Sequence, residues 1–271
     1  MSEENNIQDR RAKPEQEDSM SEREGIGDIE TLRCLAEMGL DRAQINLGIL
    51  LATGDGCEKN PKEAMFWIRA AANQGLAGAQ CCLGDCLADG LCGEEDKAEA
   101  VKWYRAAAEQ GFATAQFRLA SCLFLGDGCP IDYEESVKWL RLAVKQGNAE
   151  AQNLLGYCIS CGIGCEKNEE EGVKWYRAAA EQGNAVAQSN LGECLYKGEG
   201  CEKNPEEAVK WFRAPAEQGI SEAQYYLALC LIHGEGCPKD RAEGLIWLRR
   251  AAEGGYEEAR RLLGRLEEKD A

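Results

Sequence analysis

The feature that most constrains this chain is a tryptophan that recurs at intervals of 36 residues. Ala-Gln pairs and single glycines repeat at the same interval. An internal period of this length predicts one supersecondary unit stacked on copies of itself, since such a unit buries its apolar face only against its neighbours. The six tryptophans are Trp67, Trp103, Trp139, Trp175, Trp211 and Trp247.

Each unit has the pattern of two helices. In "EAQNLLGYCIS", Ala151 and Leu155 lie at helical spacing on one face, and a Gly-x-Gly turn follows. In "KNPEEAVKW", Asn204 suits the N-cap, Pro205 the first helical position and Glu207 the capping box. No stretch alternates with a period of two for long enough to require a strand. The sequence therefore predicts an all-α fold of about six helix-turn-helix repeats.

The repeat sets the predicted domain boundaries. The polar, acidic residues 1–24 are expected to form a disordered tail, because they carry too little apolar surface to order themselves. The remainder, 25–271, is predicted to be a single solenoid. Its expected parts are an N-terminal cap helix at 28–40, repeats at 41–76, 77–112, 113–148, 149–184, 185–220 and 221–256, and a C-terminal cap helix at 257–271.

The segment "AVAQSNLGECLYKGEGCEKNPEEAVKWFRAPAEQG" resembles the Sel-one-like repeat, a relative of the tetratricopeptide repeat. The shared pattern is Ala-x-x-x-Leu-Gly, a Gly-x-Gly turn, Lys-Ala-x-x-Trp-Tyr and Ala-x-x-Gly, and it covers residues from about 28 to 264. The resemblance implies a right-handed α/α superhelix. It also implies a protein–protein interaction scaffold or adaptor, and not an enzyme.

The net charge of −17 argues against nucleic acid and anionic membrane surfaces as partners. A protein or peptide partner with basic groups fits this charge better. The N-terminus lacks the apolar stretch of a secretory signal, and no apolar run approaches the length of a membrane span. The sequence thus predicts a cytoplasmic protein, with export by a signal-peptide-independent route as the alternative.

Cysteine pairs recur with the repeat and allow three interpretations. They are small apolar filler, disulfides within each unit, or metal or redox ligands. The filler interpretation is favoured because Leu50 takes the first cysteine's position in the first unit, and no metal or other cofactor is predicted. The pairs that oxidation could join are Cys86/Cys92, Cys122/Cys129, Cys158/Cys165, Cys194/Cys201 and Cys230/Cys237.

One branch of the resembling family, the cysteine-rich secreted proteins of Helicobacter, has a disulfide in each repeat and is linked to β-lactam binding or hydrolysis. An exported, disulfide-stapled protein acting on a host or envelope partner, with weak β-lactam hydrolase activity, is therefore the alternative function. The sequence departs from that branch, because "RAAAEQGNAVAQ" lacks its cysteines and no Ser-x-x-Lys motif occurs.

No catalytic constellation is visible in the sequence. The lone histidine, His233, cannot form an imidazole pair or a His-based triad with a second histidine. A set of arginines shares one repeat position, and four of them have a glutamate four residues downstream (Glu109, Glu181, Glu217 and Glu253), which allows pairing within those helices. These arginines are Arg69, Arg105, Arg141, Arg177, Arg213 and Arg249.

The predicted partner-binding groove lies along the first helices of the repeats. Residue types there differ between units while scaffold positions stay fixed, so the repeat itself does not require them. Aromatic and acidic side chains at these positions suit a peptide with apolar anchors and basic flanks. The predicted groove residues are Asp85, Phe117, Phe124, Asn153, Tyr157, Ser189, Glu193, Tyr196, Tyr225 and Ile232. Packing between neighbouring helices is the alternative role for them.

Pro215 interrupts the second helix of the fifth repeat, where other repeats have alanine. An interior proline removes one backbone hydrogen bond and costs about 3 kcal/mol. We therefore predict a kink or an early helix end at this point.

Overall fold

The computed structural model describes residues 29–270, with side chains through residue 266. Within this range the chain forms fourteen helices and no strand. The helices are α1 (Ile29–Glu37), α2 (Asp41–Thr53), α3 (Pro61–Asn73), α4 (Ala77–Ala88), α5 (Lys97–Glu109), α6 (Ala113–Leu125), α7 (Tyr133–Val144), α8 (Ala149–Cys161), α9 (Glu169–Glu181), α10 (Ala185–Lys197), α11 (Pro205–Glu217), α12 (Ser221–His233), α13 (Arg241–Glu253) and α14 (Glu257–Asp270). The predicted all-α repeat fold is confirmed, whereas the predicted tail at 1–24 lies outside the described residues.

The second helix of every repeat begins with a side-chain cap. In α11 the Asn204 side chain accepts a hydrogen bond from the Glu207 N–H at 3.1 Å, and Pro205 occupies the first helical position. These are the roles that the sequence predicts, and they satisfy backbone donors that the helix leaves open. The same cap recurs at Asn60, Asp96, Asp132, Asn168 and Asp240.

The two helices of a repeat pack closely because a small residue on one faces a large residue on the other. Gly192 on α10 lies under the Phe212 ring of α11, and a Cβ at Gly192 would stand 2.6 Å from that ring. Gly156 lies under Tyr176 in the same way. Phe212 is fully buried as a result and anchors the core between α10, α11 and α12.

Consecutive repeats touch through the second glycine of the Gly-x-Gly turn. Gly164 has a φ of +69°, and a Cβ there would collide with the Tyr133 carbonyl at the start of α7. Gly200 meets the Glu169 carbonyl of α9 in the same way. Only glycine combines this backbone conformation with so close an approach. The turn therefore fixes the stacking of one repeat on the preceding one.

Arginine–glutamate pairs also join neighbouring repeats. Arg105 on α5 contacts Glu135 on α7 at 2.5 Å, and Arg177 on α9 contacts Glu207 on α11 at 2.6 Å. The sequence-based prediction of pairing within one helix is wrong for these arginines. Each arginine instead reaches the capping-box glutamate thirty residues downstream, because stacking brings successive second helices side by side. Arg33–Glu63, Arg69–Glu99 and Arg141–Glu171 repeat the arrangement.

The predicted early end of the helix at Pro215 is wrong. Helix α11 runs to Glu217 and has 13 residues, the same length as α9. Pro215 is buried, and its carbonyl accepts a hydrogen bond from the Ile220 N–H at 3.0 Å. We attribute the intact helix to packing against α10 and α12, which holds the backbone helical despite the missing N–H.

The first helices lie on the inner side of the superhelix. Successive first helices approach each other, α2 with α4, α4 with α6 and α10 with α12, whereas successive second helices within 29–270 do so less. Closer spacing on one side of a stack defines the inside of its curve. The inner surface is therefore built from α2, α4, α6, α8, α10 and α12.

Candidate partner-binding groove

The structure places the predicted groove residues in different surroundings. Ser189 is fully buried, and Ile232 is buried against Gly244 of α13, so both offer little surface to a partner. Phe117 is partly buried and packs on the core between α7 and α8. Asn153 accepts a hydrogen bond from Asn190 at 2.9 Å, which links α8 to α10. These contacts are those of side chains packed between helices.

Aromatic rings gather where α6 ends, α7 begins and α8 approaches its end. The centroid of the Phe124 ring lies 5.4 Å from that of Tyr133 and 6.2 Å from that of Tyr157, both in edge-to-face geometry. Tyr133 is 40% exposed and Tyr157 is 43% exposed. We call Phe124, Tyr133 and Tyr157 the aromatic cluster. Large exposed rings of this kind are enriched where proteins bind one another.

A pocket of about 660 Å³ opens beside the aromatic cluster, and Tyr157 lines both. It lies between α8, α9, α10 and the start of α12. We call it the acidic pocket, because four glutamates and one lysine line it. The charged lining residues are Glu169, Glu193, Glu199, Glu222 and Lys167.

Two carboxylates from different repeats face each other in the acidic pocket. Glu193 accepts a hydrogen bond from the Tyr226 hydroxyl at 2.6 Å and pairs with Lys197 one turn along α10. Glu222 accepts a long hydrogen bond from the Ser189 hydroxyl at 3.5 Å. Burial, and then the neighbouring Glu193 carboxylate, raise the pKa of Glu222. A cation entering the pocket would relieve this repulsion.

Asp85 occupies the same repeat position as Glu193 but takes its cation from the next repeat, whereas Glu193 pairs with Lys197 of its own helix. Its carboxylate accepts from the Tyr104 hydroxyl at 2.8 Å and pairs with Arg118 of the next repeat at 3.0 Å. The position of Arg118 is taken by Tyr226 in the repeat after Glu193. The cation from the neighbouring repeat is therefore replaced by a neutral hydroxyl at Glu193.

Tyr196 and Tyr225 belong to a second group of rings further along the inner surface. Both rings contact Tyr226, with centroids 5.7 Å and 5.3 Å away, and Tyr225 also contacts Tyr256 at 5.0 Å. Tyr196 and Tyr225 are both partly buried. These two rings therefore have two roles: they pack between the fifth and sixth repeats, and they contribute part of the inner surface.

All cysteines within 29–270 are free thiols. In each repeating pair the second cysteine lies near enough to raise the pKa of the first. Cys194 is in α10 and Cys201 in the loop that follows, as the sequence predicts. Burial raises the pKa of Cys194 to about 12 and that of Cys122 to about 11. In the first unit the Cys57 thiol donates to the Leu50 carbonyl at 3.4 Å. Thiols with a raised pKa, such as those of Cys194 and Cys122, are poor nucleophiles and metal ligands at neutral pH.

The described part of the chain shows neither a metal-binding cluster nor a membrane-spanning helix. No group of three or more His, Cys, Asp or Glu side chains between 29 and 270 is arranged to hold a metal ion. In that same span, none of the helices combines the length and apolar character needed to cross a bilayer. His233 is exposed at the end of α12.

The sequence-based prediction missed most of the acidic pocket. Glu222 lies 29 residues after Glu193 and outside the positions assigned to the groove, and Glu199 lies in a loop. A usable signal was present, because Tyr226 replaces the arginine that neutralises Asp85 three repeats earlier. It required knowing that these two positions touch across a repeat boundary.

Comparison with known proteins agrees with this architecture. The Sel1 repeat family model matches residues 41–76, 77–112, 113–148, 149–184, 185–220 and 221–256. A protective antigen of uropathogenic Escherichia coli that displays an SLR fold is 34% identical over 90% of this chain, with a TM-score of 0.80. The match covers 52% of that antigen, so this chain spans about half its length. A search of curated proteins gave no match.

A second solved structure is similar over most of both chains. The Sel1 repeat protein from Oxalobacter formigenes is 32% identical, and the match covers 79% of this chain and 85% of that one, with a TM-score of 0.72. The six matched repeats, the fourteen helices within 29–270 and these two neighbours lead to one conclusion. The chain belongs to the Sel1 repeat family.

Proposed function

We propose that this chain is a non-enzymatic scaffold that binds a protein or peptide partner in its inner groove. Sel1 repeat proteins commonly serve as interaction scaffolds, and the inner surface of this one carries both exposed rings and a pocket. The observation with the most weight is Tyr157, a large side chain that is 43% exposed at the mouth of that pocket.

The scaffold itself does not account for Tyr157. Its repeat position holds isoleucine, aspartate, serine, glutamate and leucine in the other five units, at residues 49, 85, 121, 193 and 229. A position that packing leaves free to vary can be used for recognition. An exposed tyrosine offers apolar area at a low entropic cost together with a hydroxyl, which suits it to a binding surface.

The proposal includes a reducing compartment, with the cytoplasm as the location. Its support is that the paired cysteines are buried or partly buried and that Leu50 stands where other units have cysteine, because both indicate apolar filler. Cysteines that serve as apolar filler support the fold without forming disulfides.

Site-specific photocrosslinking in native lysate tests the proposal. A benzophenone amino acid replaces Tyr157 in one variant and Lys210, which is exposed on the outer helix α11, in a matched control. We expect a discrete crosslinked species at residue 157 that residue 210 does not give. Equal labelling at both positions would contradict a binding groove. Hydrolysis of a substrate that is lost on one groove substitution would contradict the non-enzymatic role.

A further inference from the structure

We propose that the aromatic cluster and the acidic pocket form one continuous docking surface for a peptide segment that carries an apolar side chain next to a lysine or arginine. This inference rests on the proposed function and adds the chemistry of the partner. Tyr157 joins the two parts, since its ring contacts Phe124 on one side and lines the pocket on the other.

The apolar half of the surface is preformed. Phe124, Tyr133 and Tyr157 hold one another in edge-to-face contact, so their rings lose little further freedom when a partner binds. Leu125 and Ile131 beside them are more than half exposed. An aliphatic or aromatic side chain laid on this cluster would remove apolar surface from water on both partners.

The charged half of the surface favours a cation. Four carboxylates line the pocket, and two ammonium groups form ion pairs with them. Lys167 pairs with Glu169 at 2.7 Å, and Lys197 pairs with Glu193. The equivalent acid Asp85 shows what full neutralisation looks like in this fold, with an arginine from the next repeat at 3.0 Å. Lys197 pairs with Glu193, so one ammonium group serves the two facing carboxylates of Glu193 and Glu222. A guanidinium or ammonium group from a partner would supply the second cation.

Size and net charge agree with this occupant. A pocket of about 660 Å³ accommodates a long basic side chain together with part of its backbone. The net charge of −17 attracts basic segments over a distance and accelerates their encounter with the groove. Acidic peptides and nucleic acids would be repelled by the same field.

The experiment is selection from a random peptide library, about twelve residues in length, displayed on phage and panned against the full chain. We expect the selected peptides to carry a lysine or arginine within a few residues of an aliphatic or aromatic side chain. Their affinity, measured by fluorescence anisotropy on labelled synthetic peptides, should fall about tenfold for the Glu193→Gln/Glu222→Gln variant. It should also fall with added salt.

A matched control uses Glu181→Gln/Glu217→Gln, which removes two exposed carboxylates from the outer helices. It should leave the affinity within about twofold of wild type, as expected for distant rim charges. Circular dichroism checks that all variants are folded. Glutamine at 193 can still accept the Tyr226 hydroxyl bond.

The outcomes separate the inference from the function on which it rests. Selected peptides that lose affinity with Tyr157→Ala but lack basic residues, or bind Glu193→Gln/Glu222→Gln as tightly as wild type, would overturn the inference and leave the groove in place. A selection that yields no peptide, or only peptides insensitive to Tyr157→Ala, would overturn both.

Discussion

Single residues in this protein carry charges that the fold does not fully compensate, and Glu222 is the clearest case. Burial and the neighbouring Glu193 raise the pKa of its carboxyl above the ordinary value for glutamate, about 4.3. The folded protein therefore holds the Glu222 proton more tightly than the unfolded chain does. Between the unfolded and the folded pKa, stability falls as the pH rises, and above both the unfavourable contribution is complete.

Glu222→Gln should therefore raise the thermal unfolding midpoint at pH 7, because the neutral amide avoids burying a charge beside Glu193. The gain should shrink as the pH falls through the raised pKa and below the ordinary glutamate pKa, about 4.3, because the wild-type carboxyl then becomes protonated in both states. Differential scanning calorimetry across this range measures the effect. A midpoint lower than wild type at pH 7 would show that the Glu222 charge stabilises the fold.

At the scale of helices, capping and close packing dominate over local propensity. Helix α11 keeps the length of its counterparts although Pro215 deprives the Trp211 carbonyl of its partner four residues on. The Asn204 cap at one end and the turn at Gly219, where φ is +91°, fix both ends of the helix. Packing against α10 and α12 keeps the residues between these two ends helical.

Pro215→Ala should stabilise the protein by about 1 kcal/mol. Removing an interior helical proline gains about 3 kcal/mol. The greater freedom of the unfolded chain costs about 1 kcal/mol, and the small void left by the buried ring costs about 1 kcal/mol. Urea unfolding measures the difference. The matched variant Ala179→Pro, at the equivalent position of α9, should lose about 3 kcal/mol. The two substitutions are therefore expected to change the free energy of unfolding by different amounts. A lower free energy of unfolding in Pro215→Ala would show that packing of the proline ring outweighs the regained hydrogen bond.

At the scale of the whole molecule, repeats are joined by a row of ion pairs along the second helices. Glu63, Glu99, Glu135, Glu171 and Glu207 each pair with an arginine thirty residues upstream. Most capping-box glutamates also accept a hydrogen bond from a tryptophan indole, as Glu135 does from Trp139 at 3.2 Å. These contacts lower the pKa of Glu99, Glu135 and Glu207, chiefly through the arginine hydrogen bond. Their contribution to stability is present above the ordinary glutamate pKa and is lost as the pH falls through the lowered values.

Replacing Glu99, Glu135 and Glu207 together by glutamine should flatten this acid limb of the stability curve. Urea unfolding between pH 7 and about pH 3 measures it, because the substituted side chains no longer titrate. The control replaces Glu109, Glu181 and Glu217, which are exposed at the ends of second helices α5, α9 and α11. The control should retain the wild-type acid dependence. An unchanged acid limb in the first triple variant would mean that these interfaces do not set the pH dependence.

Much of the fold could be predicted from the sequence, because it depends on short-range rules repeated six times. Asn204, Pro205 and Glu207 identify the start of a helix from three adjacent residues, and the structure confirms each role. Predictions of which side chains form contacts between two repeats were less accurate. The arginines were assigned glutamates within their own helices, whereas the structure pairs them thirty residues away.

The candidate site shows the same division. The sequence by itself determined the period, the helix starts and the variable position that Tyr157 occupies, since all follow from spacing along one chain. Only the tertiary structure decided that Ser189 is buried, that the next repeat offers Asp85 an arginine but Glu193 a tyrosine, and that Glu222 joins Glu193 in one pocket. The physical reason is that charge compensation and burial depend on side chains contributed by adjacent repeats. The spacing of residues along the sequence does not reveal which of these side chains come into contact when the repeats stack.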